Sequence, residues 1–520
     1  MEMSHAICDL LAESNVTSSG KITLILSKYE NTHFYDVLFG AVTLKTTPYK
    51  RICSHAEEGH MTQSLDVSRK LSGDALTNFI ATISATGGLL FGYDTGIISS
   101  ALLQIREQFH LDTIGSEIVT SAIILGALFG CLGAGGISDR FGRRRTVMVA
   151  AALFLAGTAL ASAAQSVAVL IVSRLILGLA IGAASQIVPI YIAEISPPSR
   201  RGRLVVGFQL AIVSGITISF LTGYFLRNSS WRIMFGIGML PALILFVGMA
   251  FLPNSPRWLA LKGRTDEALA VLRRVRSSEE AAQAELQGIV DNHDEQAPWS
   301  ELAKPWVRPA LIASVGIALL CQLTGINAVL YYAPAIFADA GFGQESALLT
   351  SVAVGLAMVC ATIFGGWAVD TWGRRTLILR LLPGAVISLI VLGAMFAFHM
   401  TGGMGAWITV LAIMGYTICN TGSLSVAVWL VGAEVYPLSC RGKGMSLVAG
   451  SHWGADLIIS LTTLSLVQGL GAHMTFWLFA AVNAFAFFFV LRYVPETKGQ
   501  SLEQLERSLR NGTFAPVHKS

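Results

Sequence analysis

Apolar residues in this chain come in long blocks, not in alternating stripes. From residue 76 onward, blocks long enough to cross a bilayer recur at 76–101, 118–138, 146–164, 168–193, 204–226, 232–252, 309–335, 347–369, 376–398, 407–434, 444–466 and 475–494. A hydrocarbon core about 30 Å thick needs roughly 20 apolar residues per helix. With no water there, an isolated segment satisfies its backbone only as a helix. A membrane β-barrel would instead show alternating segments of about ten residues. The pattern therefore predicts an all-α membrane protein with twelve transmembrane helices.

Composition changes only one part of this picture. A chain of 520 residues could hold three or four soluble domains, but 53% of it is hydrophobic and 13% charged. Soluble proteins carry about 25% charged residues. The polar breaks between blocks are more informative. With the N-terminus inside, the loops at 138–145, 196–203, 370–375 and 435–443 carry eleven Lys and Arg, and the loop 253–308 adds eight. The outward loops carry three, Arg106, Arg227 and Arg232. Positive loops stay inside, so both termini are expected to be cytoplasmic, with the plasma or inner membrane as the host. The net charge is only +4, and the basic residues sit beside membrane ends, so nothing favours nucleic-acid binding. Seven scattered cysteines without a CxxC pair read as small buried apolar side chains.

Residues 1–60 are mixed and polar, without a signal-peptide pattern. They are expected to be a disordered tail or to lie ahead of a true start at Met61. The expected organisation is an N-terminal cytoplasmic segment 1–75, a six-helix half 76–252, a cytoplasmic linker 253–308, a second six-helix half 309–494 and a tail 495–520.

The two halves share their punctuation. "DRFGRR" after the second block, with Asp139, Arg143 and Arg144, returns as "DTWGRR" after the eighth, with Asp370, Arg374 and Arg375. Glu194 and Arg201 in "AEISPPSRRG" return as Glu434 and Arg441 in "AEVYPLSCRG". Together with the "TGI" and "LPNSPR"/"VPETKG" landmarks, the offsets are 229, 231, 240 and 242. Such duplication is the build of many secondary transporters, whose substrate sites lie near the midplane between repeats. In the linker, Leu269, Leu272 and Val275 stand at helical spacing, and Ser277 with Glu280 offers a capping box.

Some polar residues interrupt the apolar blocks. Intramembrane charges are costly and usually paired. Asp94 in span 1 and Arg174 in span 4 both fall about 10 Å below the outer surface at 1.5 Å per residue. Burial opposes a charge on Asp94, and a nearby guanidinium supports it; a static buried pair is the plainer alternative. Gly178 and Gly182 form a GxxxG step for close helix approach. Gln209, Gln322 and Asn327 offer amides, which both donate and accept, and Tyr331 shares a helix face with Asn327. Gly325 and Pro334 suggest a discontinuous helix lining a cavity. There is no GxxxxGK[ST], HExxH or GxSxG. No enzyme, ATP-driven pump, cofactor or metal is expected.

The strings "FGYDTG", "DRFGRR", "YIAEISPPSRRGRL", "LPNSPRWL", "QLTGINAVLYYAP", "DTWGRR", "AEVYPLSCRGKGMSL" and "VPETKGQSLEQLE", in this order over roughly 76–506, resemble the sugar porter family of the major facilitator superfamily. The resemblance implies twelve helices in two pseudo-symmetric halves, short cytoplasmic linker helices, and alternating access for a monosaccharide or polyol. It implies that Asp94 and Arg174 couple a proton, since facilitative relatives tend to carry a neutral residue at this Asp. It further implies that Gln209, Gln322 and Asn327 bind the sugar, that Tyr331 or Tyr332 closes it in, and that Trp429 and Trp453 lie beside the ring. The charged motifs, Asp139, Arg143, Arg144, Glu194 and Arg201 with Asp370, Arg374, Arg375, Glu434 and Arg441, would form a cytoplasmic latch. The expected partners are the sugar, protons and the lipid bilayer, with the chain acting as a monomer.

The chain departs from the family in its C-terminal half. Cys321 stands where an amide is usual, Met358 where an Asn is common, and "SVAVW" replaces a Gly-Pro-x-Pro-Trp run. Loss of the prolines predicts a more continuous span 10. His452 and Asp456, four apart in "SHWGAD", would bind a hydroxyl-rich ligand, carry a second proton, or neutralise each other. A myo-inositol or polyol symporter, a passive sugar facilitator and a membrane sugar sensor remain as alternatives, the last disfavoured by a short C-terminal tail.

Overall fold

The structure is a computed structural model and describes residues 73–197, 200–291, 298–339, 343–400, 403–437, 439–500 and 502–514. The readings made for residues 1–60 lie outside the described residues. Among the described residues there are helices and no strands.

Twelve of these segments are long and apolar enough to span a membrane. The first half comprises α1 (Gly73–Phe109), α2 (Thr113–Phe141), α3 (Arg143–Ser162), α4 (Val167–Ile195), α5 (Arg201–Phe225) and the pair α6 (Trp231–Ile237) and α7 (Met239–Phe251). Three short helices follow, α8 (Pro256–Leu261), α9 (Thr265–Val275) and α10 (Glu279–Asp291), with a 3₁₀ turn at Trp299–Ala303. The second half comprises α11 (Arg308–Leu323), α12 (Ile326–Asp339), α13 (Gln344–Trp372), α14 (Arg374–Ala397), α15 (Met404–Asn420), α16 (Val426–Glu434), α17 (Arg441–Leu470) and α18 (Ala472–Tyr493); α19 (Leu502–Arg510) closes the chain. Most helices run a few residues beyond the apolar blocks. A helix needs no apolar residues once it leaves the hydrocarbon, and local caps end it instead: Asp112 accepts from Gly115 N at 2.7 Å to open α2.

The repeat appears in the backbone itself. Gly142 and Gly373 both have φ +93°, each forming the corner between two helices. A side chain there would be strained. Within the first half, α2 and α4 meet backbone to backbone: a Cβ on Gly178 would strike Ile123 O, and one on Gly182 would strike Ala127 O. Gly126 and Gly130 answer from α2 against Leu175 O and Leu179 O. The GxxxG step is therefore one side of a four-glycine seam.

The linker helices dock on the first half. Ala268, Leu272 and Val275 of α9 are buried, and Leu269 is half-buried at the edge of the same stripe. Arg276 binds Glu285 at 2.5 Å and donates to Ile195 O at 2.7 Å, which bolts the linker to the end of α4. The cap of α10 falls on Ser278, whose hydroxyl accepts from Ala281 N, and not on Ser277. The helix starts one residue later because Glu279 is held by Arg273 at 2.6 Å. That hydrogen bond keeps the Glu279 carboxyl below its ordinary range.

One span of the second half is broken, and another widens locally. Span 7 stops at Leu323 and restarts at Ile326, turning through Gly325 at φ +93°. Phe479 of α18 sits where a Gly325 side chain would be. Span 10 runs as one helix from Met404 to Glu434, as expected, and carries a π turn at Thr421–Ser425. Asn420 lies just before it, and its amide donates to Thr324 Oγ1 at 3.0 Å and to Asn483 Oδ1 at 3.4 Å. Such π turns often mark functional sites.

Candidate functional site

Three groups of polar side chains interrupt the apolar interior. The first is the pair predicted in the N-terminal half. Arg174 Nη1 lies 2.7 Å from Asp94 Oδ2, with the two side chains 0% and 4% exposed. The Phe235 ring lies under the guanidinium at 5.8 Å, and Tyr93 OH braces α1 by donating to Met234 O at 2.6 Å. Arg174 Nε and Nη2 are buried without partners. The arginine thus keeps donors in reserve while it holds the carboxylate.

The second group lies in the C-terminal half, around the break in span 7. Asn327 Nδ2 donates to Gln322 Oε1 at 2.9 Å. Gln322 Nε2 then faces His452 Nε2 at 2.7 Å. Since the amide nitrogen can only donate, the imidazole accepts there and is neutral, with its proton on Nδ1. Tyr331 OH donates to Asp456 Oδ2 at 3.1 Å, and Tyr332 OH donates to Ser460 O at 2.6 Å. The Trp429 ring lies 5.0 Å from His452, and Trp453 lies 5.5 Å from Phe91 of α1, across the two halves. Two atoms of the cluster are left over: His452 Nδ1, a donor, and Asp456 Oδ1, an acceptor, are both buried without partners. His452 and Asp456 form no ion pair with each other.

Access differs within the cluster. Asn327, Trp429 and His452 are half-buried, while Gln322, Tyr331, Tyr332, Trp453 and Asp456 are buried. Gln209 is half-buried on α5 and makes no hydrogen bond to this cluster among the described residues. Cys321 lies 4.0 Å from Ser425 Oγ, so the thiol at the unusual position packs beside the π turn.

The third group comprises the charged motifs at one end of the bundle. Arg143 bridges Asp139 at 2.9 Å and Glu194 at 3.0 Å. Arg374 repeats this with Asp370 at 4.0 Å and Glu434 at 2.8 Å. Each set lies inside one half, so these ion pairs do not tie the halves together. Arg144 and Arg375, expected among the ion pairs, serve differently. Arg144 donates to Met249 O at 2.9 Å and to Ala250 O, and Arg375 donates to Leu491 O at 2.9 Å. Both cap the carbonyl end of the last span in their half. Arg201 donates to Ala193 O at 3.0 Å, and Arg441 to Tyr436 O at 3.4 Å. Arginines suit these posts because the fork reaches main-chain carbonyls that a helix end leaves unfilled.

The hydrogen bonds that do join the halves gather at the opposite end. Glu117 of α2 accepts from Ser465 N at 2.8 Å and Ser465 Oγ at 2.6 Å. Glu345 accepts from Tyr224 OH and from Arg227 Nη2, both at 3.1 Å. These residues were not predicted, nor were Phe91 and the network of Thr324, Tyr416, Asn420 and Asn483. Tyr416 OH and Asn483 Nδ2 both donate to Thr324 O, at 2.8 and 3.0 Å, and fill the carbonyl exposed by the helix break. An amide inside an apolar run, as in "TICNTG" and "AAVNAF", was the available signal.

Twelve helices long and apolar enough to cross a membrane, in two like halves joined at one end around a buried polar cluster, define a multi-pass membrane transporter of the major facilitator fold. The chain belongs to the sugar (and other) transporter family, whose model matches residues 80–509. It is 38% identical to the major myo-inositol transporter IolT of Bacillus subtilis over 83% of this chain and 94% of that protein. It is 36% identical to the galactose-proton symporter of Escherichia coli K12 over 85% of this chain and 96% of that protein. Among solved structures, the inward open xylose transporter XylE from E. coli superposes with a TM-score of 0.71 at 27% identity, covering 82% of this chain and 98% of that one. The protein is a transporter and not an enzyme.

Proposed function

We propose that this protein carries a monosaccharide or cyclic polyol across the membrane together with a proton, by alternating access between its halves. One observation carries the cargo assignment. A buried donor, His452 Nδ1, and a buried acceptor, Asp456 Oδ1, stand unfilled on one helix beside an amide pair and the Trp429 ring. A hydroxyl accepts one bond and donates another, so it answers both atoms at once. An unfilled buried polar group is costly, and a ligand rich in hydroxyls removes that cost. Gln209, from the facing half, completes the site once the halves close. Relatives named for myo-inositol and for galactose with a proton support this substrate class.

Asp94 and Arg174 are the proton-coupling pair in this reading. Neutralising Asp94 frees Arg174, whose spare nitrogens can take other partners as α1 and α4 move. The charged end faces the cytoplasm, because eleven Lys and Arg of the short loops gather there. The Glu117–Ser465 and Glu345–Arg227 bonds then close the outer side, which makes this an inward-facing state. Residues 76–252 and 309–494 are the moving halves, and 253–308 is the linker between them. A single copy contains every group that this cycle uses.

The test is uptake into proteoliposomes of labelled D-xylose, D-galactose and myo-inositol, with and without an imposed pH gradient. Accumulation that follows the inward proton gradient is expected for at least one of them. Flux that only equilibrates would replace symport with facilitation, and no flux at all would remove the substrate class.

A further inference from the structure

We infer that Asp456 is a second proton carrier, placed inside the cargo cavity and loaded together with the cargo. The inference rests on the reading of the His452–Asp456 cluster as the cargo site.

The two intramembrane aspartates differ in their counter-charges. Asp94 has a guanidinium at 2.7 Å and can be sealed from water as an ion pair. Asp456 is 1% exposed, yet the donors around it are neutral, the Tyr331 hydroxyl at 3.1 Å and the Asn327 amide, and its Oδ1 has no close partner. His452 cannot supply the charge, since its Nε2 accepts from Gln322 and the ring is neutral. The titratable groups on the neighbouring helices are Tyr331 and Tyr332 of α12, Cys321 of α11 and, farther along α17 at Ser465, Glu117 of α2. These are neutral or acidic; Arg174 of α4 also acts on Tyr331, but Asp94 holds its guanidinium at 2.7 Å. An ionised Asp456 is tolerable while water reaches the cavity through half-buried Asn327, Trp429 and His452. It is not tolerable once the halves close on both sides, because a buried charge needs a partner.

A proton from the aqueous cavity resolves this by binding to Oδ1, the unfilled oxygen. The cluster then loses one negative charge, and no bond to the cargo is forfeited. The ionised Oδ1 accepts from a cargo hydroxyl, and the protonated one donates to the same hydroxyl, which has two lone pairs. The cargo is held in either state, but only the neutral state can be occluded. The proton leaves to water when the cavity opens on the other side.

The experiment is the proton-to-cargo ratio. It is read from the reversal potential of D-xylose, D-galactose or myo-inositol flux in proteoliposomes holding the full chain. About two protons per cargo are expected, one for each intramembrane aspartate. Asp456→Asn should lower the ratio to about one while flux stays coupled, and Asp456→Glu should restore about two. Tyr331→Phe removes a hydroxyl donor to the carboxylate, so the pH of half-maximal uptake should move upward. A ratio of one in the unaltered protein, unchanged in Asp456→Asn, overturns this inference and leaves symport standing. A ratio of zero overturns symport as well.

Discussion

In the N-terminal half, α2 and α4 touch main chain to main chain along Gly126, Gly130, Gly178 and Gly182, and α1 meets α5 in the same way where Gly92 faces Ile212 O. In the C-terminal half, span 8 also meets span 10 closely where Gly365 faces Gly422 O, but side-chain amides and hydroxyls hold the break in span 7, with Thr324 receiving Tyr416, Asn420 and Asn483. Close backbone contact leaves a helix no room to bend or rotate without clashes. A hydrogen-bonded break can be remade in a second arrangement. Under the proposed cycle, the first half would move as one body with its ion pair inside, and the second would reshape around the ligand. The division agrees with where the sugar-type side chains lie, all of them but Gln209 in the second half.

The comparison can be broken most forcefully at the ion pair. Asp94→Asn leaves Arg174 buried without a charge partner, a change that typically costs about 3–5 kcal/mol. It should abolish uphill accumulation in proteoliposomes while leaving counterflow exchange measurable; normal accumulation would remove Asp94 from the mechanism. Next comes the glycine seam. Gly178→Leu drives a side chain into Ile123 O, and overpacking of this kind costs about 1–3 kcal/mol or more. A fall in the unfolding temperature of the detergent-purified protein is expected, without a specific change in cargo affinity. An unchanged melting curve would mean the seam can open.

In the second half, Asn420→Ala strips a donor from Thr324 and Asn483. The expected loss is about 1–3 kcal/mol, seen as weaker cargo binding as well as lower stability, because the break and the site share Gln322 and Thr324. Loss of stability alone would separate the network from the site. The smallest effect is expected at the charged end. Glu434 is about three-quarters buried, pairs with Arg374 through two bonds within one half and also accepts from Thr497, so Glu434→Ala should cost about 1 kcal/mol, more than a surface pair and less than a sealed one. Net uptake should slow more than affinity weakens, and Glu194→Ala should behave alike. Equal loss of rate and affinity would indicate an effect transmitted to the cavity.

Several features of the site could be read in advance, and the reasons are local. Asp94 and Arg174 stand out because each violates an apolar run, and their depths follow from counting residues along two helices. Gly325 marks a break because a positive φ suits glycine. Loss of the prolines foretold an unbroken span 10, but the π turn within it was not legible, since no local motif marks the wider turn. The charged motifs were legible as a pattern but not as a wiring. Arg143 chose Glu194, whereas Arg144, its neighbour, turned to the carbonyls of α7. Side chains one residue apart on a helix face different neighbours, and the neighbours are set by packing.

The amino-acid sequence by itself determined the membrane spans, the repeat of the two halves and the clustering of positive charge at one end. Each of these follows from solvation of a segment or a short motif, with no knowledge of what lies beside it. The tertiary structure alone decided that Glu117 meets Ser465, 348 residues away, and that Asp456 lacks a counter-charge while Asp94 has one. A partner's distance and a group's exclusion from water are properties of the packed assembly, and no local stretch of chain contains them.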